Sequence, residues 1–477
     1  MTLRKKSIAG LLWTFLDTFV LKGLTFIASL VLARILGPEQ FGLIGLIAIF
    51  ISIGSILVDS GLSASIIRTV DADDADFNTI FYTNICISLA IYVLIFFGAP
   101  FISEFYKQDI LVPVIRIFCL SFLLSALSSV QTSILVRSMN FKRLMLCNIP
   151  GIIVGVILGI TLGYLGYGVW SIVFMNLCTQ LVQTMVIWIF SSWKPSLIFS
   201  KTRLEYHLNF GYKLMISALI DTLFKNVYNV IIGKFYSLKS LGYYERAHTF
   251  NEYPVSLLTS IIGKVTYPLL ANIQQDKPRI SLVYKQLLQG SFFITAPLML
   301  GAAAIAHPVF FLVLGTQWLP AVPFFQILCL ASTLYPIHSF NINVLMVYGR
   351  TDLFLKLEII KKTLIVICIG GSITFGIYGL VWSSVVTSFL ALLVNTHYSR
   401  KIIDYKTGHQ LMDMLPTFII SLSMSGLMYL SKALFVITIL QILGPAIIGI
   451  IFYLAVNYLF KTKPFMFCLN LMKNFSI

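Results

Sequence analysis

The chain has 477 residues, of which 58% are hydrophobic and only 11% are charged, about half the charged fraction of a soluble domain. With a mean hydropathy of +0.91, this composition excludes a soluble globular core and marks an integral membrane protein. The formal net charge of +16 does not imply nucleic acid, because the basic residues are scattered over many short loops, where they serve topology.

In chain order, Arg4, Lys5 and Lys6 precede an apolar run that is too long for a signal peptide and lacks a small-residue cleavage site. It is expected to stay as the first helix. Windows of about 20 apolar residues predict fourteen spans, near residues 10–34, 41–66, 78–104, 110–136, 146–165, 167–190, 208–235, 241–270, 282–314, 320–348, 355–377, 378–400, 413–432 and 434–460. Alternate loops hold most of the lysine and arginine, among them Arg137, Lys142, Arg143, Lys194, Lys201, Arg203, Lys277, Arg279, Lys356, Arg400 and Lys461. The opposite side holds Arg34, Lys107, Lys234, Lys239 and Lys432. That bias predicts both termini in the cytoplasm. The loop 68–77, RTVDADDADF, is acidic, and acidic residues count little in this rule.

The longest polar connection, 191–207 (SSWKPSLIFSKTRLEYH), alternates apolar and basic residues and reads as a short interfacial amphipathic helix. It lies where two halves meet. Around 33–43 and 233–244 the halves echo each other, since Arg34 and Lys234 each precede a glycine, Gly42 or Gly242, by eight residues. Repeats of six helices would produce such an echo. The expected division is 1–190 (spans one to six), 191–207 (cytoplasmic linker), 208–400 (spans seven to twelve) and 401–477 (spans thirteen and fourteen with a tail). The seven cysteines are odd in number and fall mostly inside apolar runs. No disulfide framework or metal spacing emerges, and they read as packing residues.

Charge within the apolar runs concentrates in spans one, seven and eight. A charge at the centre of hydrocarbon costs roughly 3 kcal/mol, so these side chains are expected to face a watery cavity, which points to a transporter. Span one carries Asp17, and places Thr14, Thr18, Lys22, Thr25 and Ser29 along one helical face; the alternative is a helix–helix seam. Span seven carries Lys213, Ser217, Asp221, Lys225 and Asn229 at every fourth position. Asp221 and Lys225 could equally form one internal ion pair. Span eight holds Glu245, Arg246, His248, Asn251, Glu252, Pro254 and Lys264. Arg246 suits a phosphate, with Glu245 or lipid headgroups as other partners, and Lys264 could snorkel.

LGPEQFGL after the first span, LGYYERA opening the eighth and KVTYPLLANIQQD closing it resemble polysaccharide exporters. These belong to the superfamily of multidrug extruders and lipid II flippases, and the similarity is to the branch exporting O-antigen, colanic-acid or teichuronic-acid units. The resemblance implies an all-α fold with two six-helix lobes around a central cavity and two extra C-terminal helices. It implies a multi-pass protein of the cytoplasmic (inner) membrane. The implied substrate is an undecaprenyl-pyrophosphate-linked oligosaccharide for surface polysaccharide, moved between leaflets by alternating access. The cationic site for the pyrophosphate would be Lys22, Lys225, Arg246 and Lys264, with Asp17, Asp221 and Glu252 as coupling carboxylates for H⁺ or Na⁺. No cofactor or metal is expected. Membrane lipids, a polysaccharide polymerase and chain-length machinery stand as candidate partners.

Two other classes compete. An ion-coupled multidrug-type extruder needs an acidic, aromatic cavity, whereas the deep charges here include several cations. A membrane polymerase needs sizeable external loops for catalytic groups, and none is predicted. No glycine-rich phosphate loop followed by lysine occurs, which argues against direct ATP hydrolysis.

Overall fold

The computed structural model describes the backbone of residues 3–400, 402–403 and 405–475. Side chains are described for all of these except 3–20, 257–265, 267, 268, 277, 351 and 470–475. Every regular element among the described residues is helical, the arrangement that satisfies each backbone group inside its own segment when no water is available.

The chain divides into two compact units, 1–242 and 243–477. The first contains α1 (Leu3–Asp59), α2 (Leu62–Arg68), α3 (Asp74–Tyr106), α4 (Leu111–Phe118), α5 (Leu120–Arg137), α6 (Phe141–Tyr164), α7 (Val169–Phe190), α8 (Lys201–Lys225) and α9 (Val227–Phe235), and α10 runs from Leu238 to Asn272. The second unit continues with α11 (Lys277–Ala304), α12 (Ala306–Leu314), α13 (Val322–Ser332), α14 (Tyr335–Val347), α15 (Thr351–Ser372), α16 (Gly376–Ser399), α17 (Thr407–Ser431), α18 (Leu440–Leu459) and α19 (Lys463–Phe475).

Ten stretches of described helix are long and apolar enough to cross a membrane, or eleven if the bent pair α8–α9 is one span. The protein is thus a multi-pass membrane protein. Two of the ten, Leu21–Asp59 with 39 residues and Asp352–Ser399 with 48, are about double the length one crossing requires. The first bends at Gly37, where φ is 77° and ψ 174°, a conformation open to glycine. Pro38 follows and has no N–H to close a helical turn. Outward-facing Leu89, Val93, Leu94, Phe97 and Phe101 make an apolar stripe along α3, as a lipid-facing helix requires.

The core of the first unit gathers Leu62, Ile66, Phe77, Ile80, Phe81, Val130 and Trp193. In the second, Tyr284, Phe292, Phe340, Leu392 and Met414 pack together, beside a smaller group with Phe293, Met428 and Tyr453. Backbones approach closely at two places in the first unit. A Cβ on Gly42 would fall on the carbonyl oxygen of Leu238, and one on Gly242 would fall on that of Pro38. The two echoed sequence motifs therefore pack reciprocally. Where α8 crosses the turn between α1 and α2, a Cβ on Gly61 would lie 2.8 Å from the Cα of Gly211.

The segment 191–200 differs from the amphipathic helix expected of it. It is non-helical and laid along the first unit. Trp193 sits edge-on to Phe77 and Phe81, with ring centroids 6.3 and 5.7 Å away. Asn78 grips Ser196 twice, accepting from its N–H at 2.6 Å and donating to its hydroxyl at 2.9 Å. These tertiary contacts, with Pro195 unable to donate, outweigh an interfacial helix.

Candidate functional site

α8 starts at Ser200, whose side chain caps the Arg203 N–H, and ends at Lys225, where Asn226 takes the chain through a 42° bend into α9. A helix end leaves its last carbonyls without intrahelical donors and carries partial negative charge, which favours a lysine there. Lys225 Nζ lies 2.8 Å from Asp221 Oδ2, one turn back, and the two side chains remain 72% and 49% exposed. An ion pair on an exposed face beside a break in an otherwise apolar span is chemically available to a polar ligand. Lys213 is also exposed, and Asn229 is buried.

Lys22 is exposed on α1. Beside it, Thr25 donates its hydroxyl to the Leu21 carbonyl at 2.9 Å, so part of the polar stripe of span one bonds back onto its own helix. Asp17 and Lys264 fall outside the residues whose side chains are described.

In the second unit, Arg246 is buried, its guanidinium carbon 5.8 Å from the centroid of the Trp318 ring, within the range of a cation–π contact. Glu252 faces His248 at 3.7 Å with both side chains largely open. Asn251 donates to Ser332 at 2.8 Å, anchoring α10 on α13. Further along, Lys285 and Tyr405 converge on Asp413 at 2.6 Å each. His338 bridges Ser388 and Asn395 at 3.1 Å, so it is a packing histidine with satisfied nitrogens. No group of three or more His, Cys, Asp or Glu suited to a metal occurs among the described residues.

The structure also assembles a cluster that sequence reasoning passed over. His207 and Asp76, both fully buried, meet at 3.0 Å. Ser65 lies 2.7 Å from the other ring nitrogen of His207, and Arg203 reaches Asp76 and Asp73 at 3.4 and 3.2 Å. Asp73 and Asp76 cap α3 reciprocally, a capping box with aspartates in both places. The backbone N–H of Asp76, and then Arg203, hold the Asp73 carboxyl below the usual carboxylate range. The signal was present: D-x-x-D opening a helix, in an acidic loop among basic ones.

Residues 31–323 match the family described as polysaccharide biosynthesis protein. The chain is 24% identical to lipopolysaccharide biosynthesis protein WzxC of Escherichia coli (strain K12) over 78% of its own length and 76% of the relative's. It is 22% identical to teichuronic acid biosynthesis protein TuaB of Bacillus subtilis (strain 168) over 74% and 73%. Among solved structures, its fold is similar to that of lipid II flippase MurJ in an inward closed conformation, with a TM-score of 0.77, 18% identity, and coverage of 94% and 98% of the two chains.

Proposed function

The chain belongs to the polysaccharide biosynthesis protein family, and from that premise we propose that it is a flippase for a lipid-linked oligosaccharide. The observation that carries this reading is the end of α8. Asp221 and Lys225 sit exposed in an apolar span, directly before a helix break. In a membrane, broken helices and ionised side chains are tolerated where they line a water-filled path, and discontinuous helices recur at transporter substrate sites.

In its finer form, the cargo is an undecaprenyl-pyrophosphate-linked repeat unit of a surface polysaccharide. It passes from the inner to the outer leaflet of the cytoplasmic membrane by alternating access. The pyrophosphate requires cations, supplied by Lys22, Lys225, Arg246 and Lys264. Asp17, Asp221 and Glu252 serve ion coupling. Pyrophosphate competes with Asp221 for Lys225, and the released carboxylate takes H⁺ or Na⁺, since loss of a cationic partner favours its neutral or ion-bound form. The lobes are 1–190 and 208–400, joined by 191–207 and followed by 401–477. Fourteen spans result when each double-length helix counts twice and α8–α9 and α10 count once each. The basic-residue distribution supports both termini in the cytoplasm. A polymerase and chain-length machinery would receive the product.

A deletion strain should accumulate the lipid-linked intermediate on the cytoplasmic side. Complementation with Lys22→Ala, Lys225→Ala or Arg246→Ala should restore the protein in the membrane but not the surface polysaccharide. Normal export from all three variants would overturn the cationic site, and absence of the intermediate would overturn the cargo.

A further inference from the structure

In the second unit an apolar cavity lies beside the basic turn that joins α16 to α17. It measures about 430 Å³, and its walls include Phe292 of α11, Leu330 of α13, Ile337 of α14, Phe389 of α16, and Leu411 and Leu415 of α17. Among the described lining residues Thr333 alone is polar, and its hydroxyl donates to the Leu330 carbonyl at 2.6 Å. Such walls offer nothing to a sugar, a phosphate or an ion, and suit hydrocarbon. The mouth is open, with Phe389 49% exposed, Leu415 53% and Met412 71%.

Helical rise sets the depth of the cavity. α17 begins at Thr407, so Leu411 lies about 6 Å and Phe418 about 16 Å along its axis. α16 ends at Ser399, and Phe389 lies about 15 Å back from that end. The hydrocarbon of one leaflet is about 15 Å deep. The cavity therefore occupies the acyl-chain depth of the leaflet on which the turn lies.

A lipid chain gains nothing by leaving the bilayer for equally apolar walls, so the headgroup decides which lipid stays. At headgroup level the chain reads RKIIDYKTGH from Arg400 to His409, three lysines or arginines against one aspartate. Arg400, Lys406 and His409 are exposed. The turn that carries them is fixed, because Thr407 donates to Thr396 at 2.9 Å and Gln410 to the Tyr405 carbonyl at 3.0 Å. Asp413, the one carboxylate of α17, is already met by Lys285 and Tyr405 at 2.6 Å each. It leaves the positive charge of the turn uncancelled.

We propose that this cavity binds one chain of an anionic phospholipid, whose phosphate is held by Arg400 and Lys406 with His409 as a further donor. Basic residues beside pockets between transmembrane helices recognise acidic headgroups in this way. The cations sit outside the spans on a turn tied down at one surface, which suits a lipid resident in one leaflet. Its chain braces α11, α14, α16 and α17 against one another.

The test places the full-length chain in phosphatidylcholine nanodiscs with a trace of phosphatidylglycerol or phosphatidylcholine carrying a photoactivatable diazirine on one acyl chain. Cross-linked peptides are read by mass spectrometry. Labelling of 385–389 and 411–418 by phosphatidylglycerol should exceed that by phosphatidylcholine at least about fivefold, the effect of one basic residue at a membrane surface. Arg400→Gln combined with Lys406→Gln, both on the exposed turn, should bring the two lipids level. Leu415→Trp, which fills the mouth, should abolish labelling at Phe389 and Leu411 with the basic turn intact. Equal labelling by the two lipids in the unmodified chain, or a preference that survives the double variant, overturns the proposal. Displacement of the phosphatidylglycerol probe by an equal amount of undecaprenyl pyrophosphate overturns it too, since the cavity would then serve the cargo. Export plays no part in the readout, so failure here is distinct from failure of the flippase reading.

Discussion

α8 carries charge at both ends, and the two ends are built differently. At its start, Arg203 and His207 pair with Asp73 and Asp76, partners 127 to 131 positions away in the chain, and the His207–Asp76 contact is sealed from solvent. At its end, Asp221 and Lys225 pair within one turn and stay open. A buried pair is an anchor, since removing one partner strands the other without compensation. An exposed pair contributes little to stability and is easily exchanged for another ligand. One helix is thus pinned at its root and chemically available at its tip.

The sharpest way to break this contrast is to remove the anchor. Asp76→Ala should destabilise the protein by about 3–5 kcal/mol, read as a large fall in thermal melting temperature and in membrane level. A loss below about 1 kcal/mol would mean that the root is no more of an anchor than the tip. Next comes the crossing between the two ends. A Cβ on Gly211 would fall against the Ser60 carbonyl, so Gly211→Ala should cost about 1–3 kcal/mol of overpacking and raise exchange in both α8 and α2.

The tip should behave in the opposite sense. Lys225→Ala and Asp221→Asn should each change stability by less than about 1 kcal/mol while export suffers. In a reconstituted flipping assay, Asp221→Asn should still bind substrate but lose its dependence on the ion gradient. A melting shift as large as that of Asp76→Ala would instead make the tip a second anchor.

The smallest effect belongs to Asp73. A carboxylate held low in the folded state stabilises it above the unfolded value, and that contribution disappears as pH falls through the folded value. Melting temperature should therefore decline below about pH 4, near the ordinary aspartate value. Asp73→Asn, which keeps the helix cap, should flatten that acid limb.

Local pattern carried much of this molecule. The long apolar runs of spans three to six reappear as α3 to α7, and the Asp221–Lys225 pair is formed as its four-residue spacing allows. The echo between Arg34–Gly42 and Lys234–Gly242 corresponds to a real reciprocal contact of backbones. The same pattern left the pair open between structure and function, a choice that the melting and export measurements on Asp221→Asn and Lys225→Ala decide. Arg246, singled out for its depth, is buried beside Trp318, an environment that helical spacing does not report.

By itself the sequence determined that the chain is helical and spans a membrane, and which helices bear charge, because hydropathy and helical periodicity act over one or two turns. The tertiary structure decided that 191–200 lies extended rather than helical, that the acidic loop clasps His207 and Arg203, and that α8 breaks at Asn226. The first two outcomes depend on groups more than a hundred residues apart meeting, with the His207–Asp76 contact sealed from water. No local pattern encodes that meeting, because burial there is a property of the path of the whole chain.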